Sequence, residues 1–204
     1  MKDSVIILAA GRGTRFEGVK QDVVFHGKPL WQFPYETAAS VVGADRVVVV
    51  GKDVPGGETR ACSVRCGLEA LPTDTDRAVI IEAARPMVTR AQILEILAQS
   101  HPSLTMAKPL VNTVMYRDGS FVDRNLLYDL LTPQCFDYKM LLEAYRSGRF
   151  YDVTDETRVM FEYHGIRPKF VETGSNLYKV TYPGDLAVIE AIYQLQLQKG
   201  ERTE

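Results

Sequence analysis

Short β-branched runs that alternate with helix-length amphipathic segments constrain this chain more than any other feature. Residues 5–8, Val-Ile-Ile-Leu, stop abruptly at Ala9-Ala10-Gly11-Arg12-Gly13. A run with no polar face suits a strand covered by helices on both sides. Residues 46–50, with four consecutive valines, and residues 78–81, Ala-Val-Ile-Ile, read the same way, and shorter strand signals follow at 103–108 and 169–171. Helical patterns cover 29–43, entered at Pro29 and closed by Gly43, then 63–71, 137–146 and 155–163. Thr89 is read as the cap of a helix carrying Ala91, Leu94, Leu97 and Ala98 on one face. A last helix starting near Pro183 sets Leu186, Ile189, Tyr193 and Leu197 in one stripe. Residues 109–133 are instead hairpin-like, with a turn signal at Asp118-Gly119-Ser120. The alternation predicts an α/β fold with a mostly parallel sheet. With no repeat, low-complexity tract or linker-like shift, 1–204 reads as one domain, whose polar end (199–204) is expected to fray.

Composition then removes several functions. Of 204 residues, 24 are Lys or Arg and 26 are Asp or Glu, so the chain lacks the basic excess of a general nucleic-acid binder. Its longest apolar run, residues 5–10, is far short of the roughly 20 residues that span a bilayer, and it lacks the length and cleavage site of a secretory signal. No membrane association is expected. Cys62, Cys66 and Cys135 are odd in number and form no CxxC, as reduced thiols of a cytoplasmic protein would be. His26, His101 and His164 are scattered, and no metal-ligand set can be read.

In such folds ligands lie beyond the carboxyl ends of the strands, near a switch in strand order. The loops after Leu8, Val50, Ile81 and Lys108 are therefore the ones to inspect. The first is Ala9-Ala10-Gly11-Arg12-Gly13-Thr14-Arg15-Phe16, with Lys20 shortly after. Small residues let backbone N–H groups approach a phosphate closely, and Arg15 and Lys20 supply fixed positive charge. It is not a Walker A loop, and Phe16 occupies the third glycine position of a dinucleotide fingerprint. No acidic residue closes the second strand, which further disfavours an NAD-dependent dehydrogenase. A bare GxG is usually an ordinary turn. The flanking Ala-Ala, Arg15 and Lys20 shift the reading to a nucleotide phosphate loop.

This segment resembles the LAAGxGxRxxxxxPKQ signature of nucleotidyltransferases, specifically the IspD/TarI cytidylyltransferases that make CDP-polyols from CTP and a polyol phosphate. Further motifs follow in order along nearly the whole chain. Gly56-Gly57-Glu58-Thr59-Arg60-Ala61-Cys62-Ser63-Val64 is similar to GGxxRxxSV, and Glu82-Ala83-Ala84-Arg85-Pro86 to DAARP. Asp123-Arg124-Asn125-Leu126-Leu127, Leu131-Thr132-Pro133-Gln134 and Thr154-Asp155-Glu156 resemble DRxxLW, TPQ and TDE. Lys179 to Leu186 resembles KxTxPxDL.

The resemblance implies a three-layer Rossmann-like nucleotidyltransferase fold with a protruding β-arm at 109–133, a homodimer built by that arm, and Mg²⁺ with the CTP. It implies that Arg15, Lys20 and Lys179 act on the reacting phosphates. Ala9, Ala10, Gly11, Arg12, Gly13, Thr14, Gly57, Glu58 and Ser63 would bind CTP, with Ser63 able to double as a helix N-cap. Glu82, Arg85, Thr113, Arg124, Thr132 and Thr154 would hold the polyol phosphate, with Arg124 reaching the other subunit and Thr154 equally suited to cap its helix. The departures are Glu58 and Glu82 for Asp, Val19 for Pro, and a short connection, 52–56, between Gly51 and Gly57. Two acceptors stay open: 2-C-methyl-D-erythritol 4-phosphate, of the isoprenoid precursor route, and ribitol 5-phosphate or another alditol phosphate, of wall or capsule polymers. A nucleotide-binding protein without catalysis is the alternative of another class.

Overall fold

The structure, a computed structural model, describes residues 1–16, 18–174 and 177–202. Six strands form the main sheet: β1 (Asp3–Leu8), β4 (Val47–Val50), β5 (Arg77–Glu82), β6 (Ser103–Pro109), β7 (Tyr128–Asp137) and β8 (Lys169–Glu172). Their order is β4-β1-β5-β7-β6-β8. Pairing is parallel for β4-β1, β1-β5 and β6-β8, and antiparallel where β7 inserts between β5 and β6. A two-stranded ribbon of β2 (Val24–Phe25) and β3 (Lys28–Pro29), too short to leave a sequence pattern, stands apart.

The two faces of the sheet follow from the side-chain period of two along a strand. Val5, Ile7, Val47, Val49, Val79 and Ile81 point one way, into a core shared with α1 (Gln32–Val42) and α3 (Arg90–Leu97). Ile6, Val50, Ala78 and Ile80 point the other way, against α2 (Arg60–Ala70), α4 (Tyr138–Arg146) and α5 (Glu156–His164). Each fully buried Val or Ile contributes roughly 1.5–3 kcal/mol. This explains the unbroken apolar runs, and it confirms the three-layer, mostly parallel architecture. A third cluster joins α6 (Asp185–Gln198) to Leu30, Phe33 and Met87 through Ile189, Ile192 and Tyr193.

The β1-α1-β4 crossover and the β4-α2-β5 crossover lie on opposite faces of the sheet. Strand order therefore reverses at β1, and a crevice opens above its carboxyl end.

Several local expectations are corrected. The α3 helix has the predicted Thr89 cap, completed as a capping box by Gln92. It buries Gln92, Ile93 and Ile96, however, leaving Ala91, Leu94 and Ala98 exposed. The shared core of β6 and β7 selects that face. The cap of α2 is Thr59, whose side chain accepts from Cys62 N–H, so Ser63 sits inside the first turn and is no cap. Asp155, not Thr154, caps α5 by accepting from Thr157 N–H. Of the tail expected to fray, residues 203–204 lie outside the described residues, but Arg202 is anchored. Its guanidinium lies over the rings of Phe33 and Tyr193 and donates to Gln196 Oε1 and to the carbonyls of Pro86 and Val88. Residues 109–130 form an exposed hairpin where an arm over 109–133 is expected, whereas Leu131 and Thr132 are buried in the sheet. The lower rungs of β6 and β7 pair up to Pro109–Tyr128, and a Met115–Phe121 bridge closes the tip around Gly119, which has φ +91°.

Candidate active site

The glycine loop leaves β1 as Ala9 donates its N–H to Val50 O (2.9 Å), so β1 and β4 end together. Gly51 has φ +101°, and a Cβ there would lie 2.8 Å from Ala9 O, so only glycine allows this approach. Gln21, in a single helical turn (Lys20–Asp22), donates to Gly11 O at 2.9 Å and pins the loop from below. Lys20 Nζ donates to Val180 O at 2.9 Å, which ties this turn to the segment before α6.

On the other side, the β4–α2 connection brings Gly57, Glu58 and Thr59 over the crevice. Gly57 N–H donates to Ser63 Oγ (3.1 Å), and that hydroxyl donates in turn to Thr59 O (3.0 Å). A Cβ at Gly57 would fall 2.3 Å from Cys62 Cβ. Glu58 accepts from the Tyr151 hydroxyl.

These elements enclose a cleft of about 330 Å³ at the carboxyl ends of β1 and β5. Arg12, Arg15, Lys20, Arg60 and Lys179 line it, against the carboxylates of Glu58 and Glu82. Glu82 is the hub. Lys179 Nζ lies 2.8 Å from it, while Arg60 Nε and Arg85 Nε lie 3.6 Å from its two oxygens. Burial works against its charge, but Lys179, Arg60 and Arg85 together hold its carboxyl below the usual range. Burial, then the charges of Lys179 and Arg15, push the Lys20 ammonium below the ordinary lysine value. A cleft that gathers five cations, one of them a partly buried lysine, is preorganised for an anion.

Of the residues expected from the sequence, Ala10, Gly11, Arg12, Arg15, Lys20, Gly57, Glu58, Ser63, Glu82 and Lys179 come together around this cleft. Ala9 is buried just beneath it, and Gly13, with φ +61°, and Thr14 shape the loop. Thr132 and Arg85 stand behind Glu82. Thr132 Oγ1 accepts from Glu82 N–H (3.2 Å), and Arg85 donates to Leu177 O. The Arg85 Nε is buried without a hydrogen-bond partner among the described residues.

Thr113, Arg124 and Thr154 do not line the cleft. The first two are on the exposed arm, where Arg124 donates to Val111 O, and Thr154 is exposed before α5. Sequence reasoning missed Arg60, although it is the arginine of GGETRACSV. It also missed Glu156, the last residue of Thr154-Asp155-Glu156. Arg60 donates to both oxygens of the fully buried Glu156 at 2.6 and 2.9 Å. Burial opposes the Arg60 charge, but Glu156 more than compensates and raises its pKa.

An α/β sheet with a glycine loop and a cation-lined crevice at its strand-order switch defines a nucleotide-handling protein. Residues 4–195 match the family model described as IspD: 2-C-methyl-D-erythritol 4-phosphate cytidylyltransferase. The chain is 33% identical, over 216 residues, to the 2-C-methyl-D-erythritol 4-phosphate cytidylyltransferase of Chromobacterium violaceum, covering 92% of this chain and 96% of that protein. It is 32% identical to the bifunctional enzyme IspD/IspF of Nitratidesulfovibrio vulgaris, covering 94% of this chain and 58% of that protein. The solved structure of the bifunctional IspDF from Campylobacter jejuni superposes with a TM-score of 0.81 at 25% identity, covering 92% of this chain and 54% of that one. The chain thus spans little more than half of its bifunctional relatives. It belongs to the IspD family of 2-C-methyl-D-erythritol 4-phosphate cytidylyltransferases. No helix among the described residues is long and apolar enough to cross a membrane.

Proposed function

We propose that the whole chain, as one domain, transfers CMP from CTP to 2-C-methyl-D-erythritol 4-phosphate, a step of isoprenoid precursor synthesis in the cytoplasm. The observation that carries this reading is the cleft in which Arg12, Arg15, Lys20, Arg60 and Lys179 converge, in a member of this family. A phosphate oxygen of the acceptor attacks the α-phosphorus of CTP. The bond from that phosphorus to the bridging oxygen breaks, and pyrophosphate leaves with the electron pair. The attacking phosphate is already an anion, so the protein need supply no nucleophile or general base. Alignment and charge stabilisation carry the catalysis.

Arg15 and Lys20 brace the triphosphate from the glycine loop, residues 9–14, and Lys179, which neighbours Lys20 through the Lys20–Val180 contact, faces the reacting phosphates. The anion offsets the burial and the Lys179 and Arg15 charges that depress Lys20. Gly57 and Glu58, held in place by Ser63, read the cytosine. Arg85 holds the acceptor phosphate, a role supported by its buried Nε, which makes no hydrogen bond among the described residues and lies 3.6 Å from Glu82, with Thr132 against Glu82 beside it. Arg124 and Thr113 complete the site of a second copy, through the arm of a homodimer. The exposed Val111, Phe121 and Leu126 on that arm support a surface covered by a partner.

A divalent cation accompanies the triphosphate, and Mg²⁺ is the one proposed. The described residues contain no group of three or more His, Cys, Asp or Glu that could cage a metal, and Glu82 is already surrounded by cations. The donor set thus fits a metal held mainly by phosphate oxygens, where it would neutralise part of their charge.

The test is pyrophosphate release from CTP and Mg²⁺ with a panel of methylerythritol, ribitol, glycerol and erythritol phosphates. The methylerythritol ester should give the highest kcat/KM. A clear preference for ribitol 5-phosphate would replace the acceptor. CTP binding without turnover on any acceptor would leave only a nucleotide-binding protein.

A further inference from the structure

Beneath the cleft runs a chain of charges that the phosphate chemistry does not itself use. The Glu156 carboxylate, fully buried, grips the Arg60 guanidinium through two hydrogen bonds of 2.6 and 2.9 Å and accepts a third from the Tyr145 hydroxyl at 2.9 Å. Arg60 then extends its Nε to within 3.6 Å of Glu82, whose other partners are Lys179 at 2.8 Å and Arg85 at 3.6 Å. Its elements are distant in sequence: α2 supplies Arg60, the cap region of α5 supplies Glu156, β5 ends in Glu82, and Lys179 precedes α6.

We propose that Glu156 is a positioning residue that acts through Arg60 to free Lys179 for the nucleotide. This rests on the cleft being the catalytic site proposed above. Lys179 neutralises Glu82 at 2.8 Å, and one ammonium cannot serve both the carboxylate and the arriving phosphates. When Lys179 turns to phosphate, Glu82 must keep its charge compensated or hold the lysine back, because an unpaired carboxylate in a largely buried site is costly. Arg60 is fixed rigidly by Glu156 and stays with Glu82 while Lys179 leaves. A bidentate carboxylate–guanidinium pair suits this role because it holds the guanidinium in one orientation. Arg85, which donates to Leu177 O and has Asp129 nearby, offers a second but shared counter-charge. Lys20, the remaining cation facing Glu82, is held to Val180 O.

Two readouts test this. The first is kinetic and uses Glu156→Gln, which keeps the shape of the side chain but releases Arg60. Expected is a fall in kcat of about tenfold or more with the KM for CTP within about threefold, since Lys179 is retained by Glu82 after the nucleotide has bound. In case this variant folds poorly, the double variant Arg60→Met/Glu156→Met replaces the buried pair by apolar side chains, a change that buried pairs often tolerate. It should lose as much kcat as the single variant, without further loss. The second readout needs no turnover. The Lys179 ammonium signal is followed by ¹⁵N NMR as CTP alone is added. In the wild-type protein the signal should leave its Glu82-paired position, whereas in either variant it should remain there. Wild-type kcat in the folded double variant, or a Lys179 signal that moves equally in all proteins, overturns the proposal. If the wild-type protein releases no pyrophosphate but its Lys179 signal moves only when Glu156 is present, the catalytic reading fails and the positioning role stands.

Discussion

Replacing Lys179 by methionine removes one ammonium from the cleft and keeps most of the aliphatic stem. That ammonium lies 2.8 Å from Glu82, but the carboxylate still faces Arg60 and Arg85 at 3.6 Å. The Lys179 side chain is 36% exposed, so losing its ion pair should lower stability by no more than about 1 kcal/mol. The effect on catalysis is of another size. Negative charge at the α-phosphorus would lose one of a few fixed donors, worth about 3 kcal/mol, or roughly 100- to 1,000-fold in kcat. The assay is coupled pyrophosphate release at saturating CTP, with urea unfolding measured on the same samples. A kcat within about threefold of wild type would refute the placement of Lys179 on the reacting phosphates. A loss of activity matched by a loss of stability above about 3 kcal/mol would also refute it, by making Lys179 a structural residue.

Gly57→Ala would drive a methyl group to 2.3 Å from Cys62 Cβ, so the loop proposed to read the base must shift; stability should fall by about 1–3 kcal/mol and the KM for CTP should rise, which steady-state kinetics will show. Burial, with Lys179 and Arg15 nearby, holds Lys20 below the ordinary lysine value, and the triphosphate should raise it again. CTP binding should therefore take up protons as the pH approaches that depressed value and weaken as the pH rises through it, as read by calorimetry in buffers of different ionisation heat. Glu82 is held below its ordinary value, so its stabilising contribution is complete above the unfolded carboxyl pKa and disappears as the pH falls through the folded one. Glu82→Gln should accordingly reduce the loss of urea stability on acidification. The proposed homodimer with a shared site predicts that Arg124→Ala and Arg15→Ala are each inactive alone, and that mixing the two restores activity through one intact site per dimer.

The parallel sheet was legible in the sequence because its strands are covered on both faces, which forces runs such as 5–8 and 78–81 to be apolar throughout. The glycine loop was legible for a different reason: backbone that must approach another strand end or an anion closely tolerates little besides glycine and alanine, as Gly51 against Ala9 illustrates. The buried face of α3 was not legible, because Leu94 and Leu97 are as apolar as Ile93 and Ile96, and only the sheet beneath decides between them. The caps Thr59 and Asp155 each lie close to the residue first considered, and backbone geometry, which composition does not encode, makes the choice. Arg60 and Glu156 are separated by 96 residues, and neither is remarkable alone. Their pairing emerges only when α2 and α5 pack on the same side of the sheet. The arm residues Thr113 and Arg124 carry a family pattern but no contact with the cleft of their own chain.

In the proposed reaction the α-phosphorus of CTP moves to the acceptor. This transfer is tested most directly with CTP labelled at that phosphorus, 2-C-methyl-D-erythritol 4-phosphate and Mg²⁺. The label should appear entirely in a diphosphocytidyl product, with unlabelled pyrophosphate released in equal amount, and GTP or ATP should not substitute. Label recovered as free CMP, or left in CTP while the protein binds the nucleotide, would contradict the account.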